Sequence, residues 1–98
     1  MNVKILDEAE QDLRDGFAFY ESQQSGLGDY FLNTLFADID SLKIYAGIHV
    51  KIFGHHRMLS SRFPYAVYYT LCEGTVFVAA VLDCRRNPLR MKTRLTKS

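Results

Sequence analysis

Apolar and polar positions follow two different rhythms along this chain, and the change of rhythm divides it. Between Ala9 and Leu42 the apolar residues recur every three or four positions, the spacing of one helical face. Ala9, Leu13, Phe17 and Tyr20 mark a first helix, with Gly16 beside them for close packing. Asp7 is its expected cap, with Glu10 three positions on as a capping-box partner. Phe31/Leu32, Leu35/Phe36, Ile39 and Leu42 mark a second helix that begins near Asp29, with Gly47 as an end signal. Ser25-Gly26-Leu27-Gly28 breaks the pattern, so the two helices form an antiparallel αα-hairpin whose apolar stripe must pack on something.

That something is a sheet. Val3 to Leu6 predicts a short edge strand ahead of the helices. Ile48 to His56 mixes apolar residues with Lys51, Gly54 and two histidines and reads as a loop with room for a short strand. His56 to Arg62 predicts a strand, and Pro64 separates it from the next, because proline cannot donate to a central ladder. Tyr65 to Cys72 is rich in β-branched and aromatic residues. Glu73-Gly74 is a tight hairpin turn. Thr75 to Leu82 is apolar on both faces, the mark of a central strand covered on both sides. The helices cover one face, and the sequence offers no obvious cover for the other, which points to a partner. Alternation sends Tyr65 and Tyr69 to one face and Tyr68 to the other, with core packing favoured over base stacking. Beyond Pro88, Leu89, Met91 and Leu95 alternate with basic residues and suit a short helix or an irregular arm. The expected fold is α+β, a β-α-α-β-β-β chain with a mainly antiparallel four-stranded sheet and a basic C-terminal arm or short helix.

Length and composition narrow the function classes. Residues 1–98 make one domain, and 48% hydrophobic content is enough for an ordinary core. No apolar run is long enough to span a membrane, and the N-terminus turns acidic without a signal-peptide pattern, so a cytoplasmic protein is expected. Cys72 and Cys84 lack metal or redox spacing and are expected to be reduced and partly buried. Charge is divided: residues 1–50 hold three basic against nine acidic residues, and residues 51–98 hold nine against two. Two readings stand, an anionic partner for the C-terminal half or mutual neutralisation within the fold. For the last fifteen residues the partner reading is preferred, and it nominates Arg85, Arg86, Arg90, Lys92 and Arg94.

The segments RFPYAVYY and VFVAAVLDCRRNP, with the hairpin between them, carry a family likeness. Together with the order of elements they resemble the RelE/ParE superfamily of toxins from bacterial type II toxin–antitoxin modules, nearest the ParE-like or plasmid-stabilisation branch. The likeness covers the whole chain in layout and about a third of it in motif. It implies a toxin held inactive by a cognate antitoxin whose acidic, amphipathic C-terminal segment folds on binding.

Three activities follow from the resemblance. A RelE-like, metal-free ribonuclease acting on mRNA in the ribosome needs cations, a base and an acid around the scissile phosphate. Arg57, Arg62 and Arg85 are its candidates here, with His55 and His56 as weaker substitutes for the missing acid or base. Ala66 stands where such nucleases carry an arginine, and Met91 near where they carry a tyrosine. ParE-like inhibition of DNA gyrase needs only a binding surface, so those gaps favour it. A folded, non-toxic partner-binding module is the third reading. No cofactor is implied, and His55-His56 lacks a third ligand at sensible spacing, so no metal is expected.

Overall fold

The computed structural model describes residues 1–97. Strand β1 (Asn2–Ile5) leads into helices α1 (Asp7–Gln23) and α2 (Leu27–Asp40) and the single turn α3 (Leu42–Tyr45). Strands β2 (Lys51–Ile52), β3 (His55–Leu59), β4 (Tyr65–Cys72) and β5 (Thr75–Asp83) follow, and helix α4 (Pro88–Thr96) closes the chain. The sheet order is β1-β5-β4-β3-β2, with β1 parallel to β5 and the other pairs antiparallel. The α+β layout is the one read from the sequence, with β2 added as a two-residue fifth strand at the edge.

The α-hairpin starts in an unanticipated way. Leu6, in extended conformation, holds the cap position of α1, and Asp7 is already helical, so the Asp7–Glu10 capping box does not form. Asp7, Glu8 and Glu10 instead line the first turn, where the positive end of the helix favours them. Helix α2 begins at Leu27, ahead of Asp29, because Glu21 of α1 reaches over to cap it. The Glu21 carboxylate accepts from the backbone N–H groups of Gly26 and Gly28 at 3.0 and 2.9 Å. Gly26 sits at φ 89°, a conformation that favours glycine.

Helices α1 and α2 pack on one face of the sheet. Leu13, Phe31, Leu35 and Leu42 meet Val67, Tyr69, Val76, Val78 and Val81 in a single buried cluster. Strand β3 ends at Leu59, short of the predicted Arg62. Asp38 of α2 accepts from the Ser60 hydroxyl and the Ser61 N–H at 2.8 and 3.0 Å, which ties residues 60–61 down as a loop. Arg62 therefore lies on a connection rather than in a strand. In the β4–β5 turn both Glu73 (φ 47°) and Gly74 (φ 77°) are left-handed, the geometry that matches strand twist in a two-residue hairpin.

The second face of the sheet is covered by the chain itself. Asn87 caps α4 by accepting from the Leu89 N–H at 2.9 Å, and Pro88 opens the first turn. The helix lays Leu95 on Ala66, Tyr68 and Ala80, forming a second, smaller cluster. The expected partner cover for this face is thus replaced, at least over these residues, by α4. Tyr65 and Tyr69 join the helix-side core and Tyr68 the α4 side, as alternation requires. A bulge in β5 keeps both faces apolar: Tyr68 pairs with Ala80 and Tyr69 with Val78, leaving Ala79 as the extra residue. After it the parity of β5 is reversed, so Val81 stays in the main core and Ala80 turns to α4. Both cysteines are free and exposed, not partly buried, at opposite ends of the β4–β5 hairpin. No helix among the described residues is long and apolar enough to cross a membrane.

Candidate functional site

A groove of about 300 Å³ opens between α1 and α4, with the adjoining ends of β4 and β5 as its floor. Four arginines line it, Arg94 in an ion pair and three others that reach it from three places. Arg57 comes from β3, Arg86 from the connection after β5, and Arg90 from the first turn of α4. Among the described residues none of the three is paired with a carboxylate.

Arg57 is positioned by its neighbours. Its Nε donates to the Tyr68 hydroxyl at 3.2 Å and its Nη2 to the Cys84 sulfur at 3.5 Å. The Tyr68 contact is the main reason its charged form is favoured even beyond the usual arginine range. The Tyr68 hydroxyl in turn donates to Met91 Sδ at 3.0 Å, so β3, β4 and α4 are linked through one phenol. Tyr65, on the same floor, is pushed up to about 12, chiefly by burial.

One wall of the groove is an ionic clasp. Arg94 of α4 donates to both oxygens of Asp12 on α1 and lies 3.2 Å from Glu8, and Lys97 also pairs with Glu8 at 3.2 Å. Asp12 also accepts from the Val81 N–H at 2.9 Å, next to the β5 bulge. Hydrogen bonding to Lys97 leads the effects that lower the Glu8 carboxyl below its ordinary range. For these groups the two charged halves of the chain do neutralise each other internally. A single buried leucine cannot offset the entropy of ordering nine-residue α4, so this polar clasp matters to its docking.

The other nominated residues stand apart. Arg85 turns away from the groove and clamps Asp83 with two side-chain bonds of 3.0 and 2.8 Å, which hold the Asp83 carboxyl below its usual range. Arg62 donates to the Tyr30 hydroxyl at 3.2 Å beside the helical hairpin. Lys92 sits 6.0 Å above the Phe53 ring. The His55 ring bonds the Phe53 carbonyl at 3.0 Å, and the His56 ring bonds the His49 carbonyl at 2.7 Å while stacking on Tyr69. Arg57, Arg62 and Arg85 therefore do not converge, whereas Arg57, Arg86 and Arg90 do. Ala66 is wholly buried under α4, where an arginine would collide with the Leu95 cluster.

Sequence reading missed Asp12, Tyr68 as a positioning group, and Met91 as its acceptor. The first had a signal. Asp12 lies between Ala9, Leu13 and Gly16, an acidic residue set within the buried stripe of α1. Among the described residues no three His, Cys, Asp or Glu side chains gather as a metal-binding group.

No protein-family model and no curated protein matches the chain. Among solved structures it is similar to a chain of the "Chromosomal ParDE TA system from P. aeruginosa", with a TM-score of 0.75. The match covers 83% of this chain and 92% of that one, at 14% sequence identity. The two share a fold. At so low an identity side chains are not carried across, so the groove has to be read on its own residues.

Proposed function

We propose that this chain is the toxin component of a type II toxin–antitoxin module of the RelE/ParE superfamily, ParE-like in branch and cytoplasmic. In this reading a cognate antitoxin neutralises it, and it acts by binding and inhibiting DNA gyrase. The observation that carries the reading is the groove, where Arg57, Arg86 and Arg90 form no ion pair with a carboxylate among the described residues, although Asp83 lies near enough to feel the charge of Arg86. The shared fold with a ParDE chain supports the same class.

Binding is favoured over RNA cleavage by what accompanies those cations. Metal-free cleavage needs a base and an acid that exchange protons near neutral pH. Tyr65, at about 12, holds its proton too firmly, and Tyr68 is fixed between Arg57 and Met91. His55 and His56 bond backbone carbonyls and do not line the groove. Asp12 and Asp83 are held by Arg94 and Arg85. Arginine forks beside an apolar wall of Phe19, Leu82 and Met91 suit an acidic, amphipathic antitoxin segment, or an acidic surface of the target.

Expression without the partner in a bacterial host tests the proposal. The expected result is filamentation and DNA-damage signalling with bulk mRNA intact, and loss of supercoiling by purified gyrase on adding the protein. Rapid codon-linked mRNA cleavage would replace this reading with the ribonuclease. Normal growth would replace it with a non-toxic partner-binding module.

A further inference from the structure

The connection between α3 and β2 is fastened to the sheet through one phenol, that of Tyr69 on β4. Tyr69 is fully buried, and its hydroxyl accepts from the Gly47 N–H at 2.9 Å and meets Nδ1 of His49. His56 of β3 stacks on the same ring, and its Nδ1 donates to the His49 carbonyl at 2.7 Å. A carbonyl only accepts, so a second proton on His56 would enter at Nε2 and leave this bond intact. His49 differs. Gly47 already donates to the Tyr69 oxygen, so the phenol gives its own proton to Nδ1 of His49, a nitrogen that carries none. Protonating that nitrogen sets donor against donor and leaves a buried hydroxyl without an acceptor.

The surroundings offer no relief. His56 and Tyr69 are the titratable groups in contact with His49. Lys51 sits opposite His56 in the β2–β3 ladder, and Lys43 of α3 is paired with Asp40 at 2.7 Å. Among the described residues no carboxylate pairs with either histidine. The segment held by these bonds carries Ile48 and Val50, 74% and 72% exposed, so little apolar burial keeps it down once the bonds go. At its far end the Val50 carbonyl accepts from the Arg57 N–H at 2.9 Å, supporting the strand that brings Arg57 to the groove.

We propose that His49, Gly47 and Tyr69 form a proton-operated latch, closed while His49 is neutral and opened in mild acid. Opening frees residues 47–50 from β4 and removes the backbone support of Arg57 on β3. The latch is independent of which target the groove binds.

Native-state hydrogen exchange of the full chain, read as protection factors by NMR, tests the latch. From about pH 7.5 to about pH 5.5 the Gly47 and Arg57 amides should lose at least about fivefold in protection. Both should exchange at least about tenfold faster than the amides of the β4–β5 ladder at either pH, because they open locally. His49→Asn puts an amide oxygen in place of the unprotonated nitrogen and does not titrate. It should hold Gly47 protection constant within about twofold over the same range. Tyr69→Phe, with the ladder still protected, should leave Gly47 poorly protected at both pH values. The proposal is overturned if Gly47 and Arg57 exchange as slowly as the ladder, which would make their release global unfolding. It is equally overturned if His49→Asn keeps the pH dependence of the parent, or if Tyr69→Phe protects Gly47 as well as the parent does. None of these outcomes bears on the gyrase assay, so the two readings fail separately.

Discussion

Arg94 and Asp12, eighty-two positions apart in sequence, form a two-pronged ion pair with bonds of 2.9 and 2.8 Å. Asp12 is only 11% exposed and Arg94 26%, so the pair is largely shielded from water. Removing Asp12 leaves Arg94 with only the more exposed Glu8 as a partner and the Val81 N–H without its acceptor. Asp12→Ala should therefore cost about 3 kcal/mol and lower the melting temperature by about 12 °C or more. Asp12→Asn, which still accepts from Val81, should cost less. Urea unfolding of the two variants, followed by circular dichroism, checks the order.

Close approach of α1 and α2 depends on Gly16. A Cβ there would lie 2.5 Å from Cε2 and Cζ of Phe31, a ring fully enclosed in the core. Gly16→Ala should destabilise by about 1–3 kcal/mol through overpacking. Gly26→Ala meets no atom within 4 Å and strains only the backbone at φ 89°. Its cost should be about 1 kcal/mol. Thermal melts of the two variants separate a steric cause from a conformational one.

If the groove is the target- or antitoxin-binding surface, its arginines should be unequal in effect to Arg85. Arg57→Gln, Arg86→Gln or Arg90→Gln should reduce growth arrest while the chain stays folded. Arg85→Gln, at a residue that pairs with Asp83 but does not itself line the groove, should leave arrest close to that of the parent. Colony counts after induction, with soluble expression as the control, give the comparison. Equal loss in all four would move the binding surface away from the groove.

The His49 ring contacts the Tyr69 hydroxyl, and burial first, then the charge of His56, lowers its pKa below the reference value of 6.5. In the window between 6.5 and that depressed value, the unfolded chain binds more protons than the folded one. Stability should therefore be present above 6.5 and decline as pH falls through this window. His49→Asn should flatten that part of the profile. Glu8 and Asp83 are lowered from 4.5 and 3.8, so their contributions vanish only in more acidic solution. Melting temperatures across the pH range should thus show two separate declines.

Much of the fold was legible because helical and strand periodicities are local. The α-hairpin, the β4–β5 hairpin and the opposite faces of Tyr65 and Tyr68 follow from spacing alone. What escaped depends on distant partners. Glu21 moves the start of α2 by capping Gly26 and Gly28, and Asp38 ends β3 early by holding Ser60 and Ser61. The groove was half legible. Its arginines could be nominated from charge, but Arg85 and Arg86 are neighbours in sequence and part ways in space. Only Asp83, chelating the first, decides which one remains available. That Arg94 is already paired was hidden for the same reason, since its carboxylate lies near the other end of the chain.

Strand β1 pairs with β5, joining residues 2–5 to residues 75–78. A chain made from its N-terminus onward brings out the first of these long before the second. During synthesis β1 waits as a bare strand, and α1 lacks both the sheet beneath it and the Arg94 that grips it. Pairings so far apart are slow to form and reward nothing until both ends are present. The groove therefore cannot be completed until nearly the whole chain, as far as Arg94, has emerged.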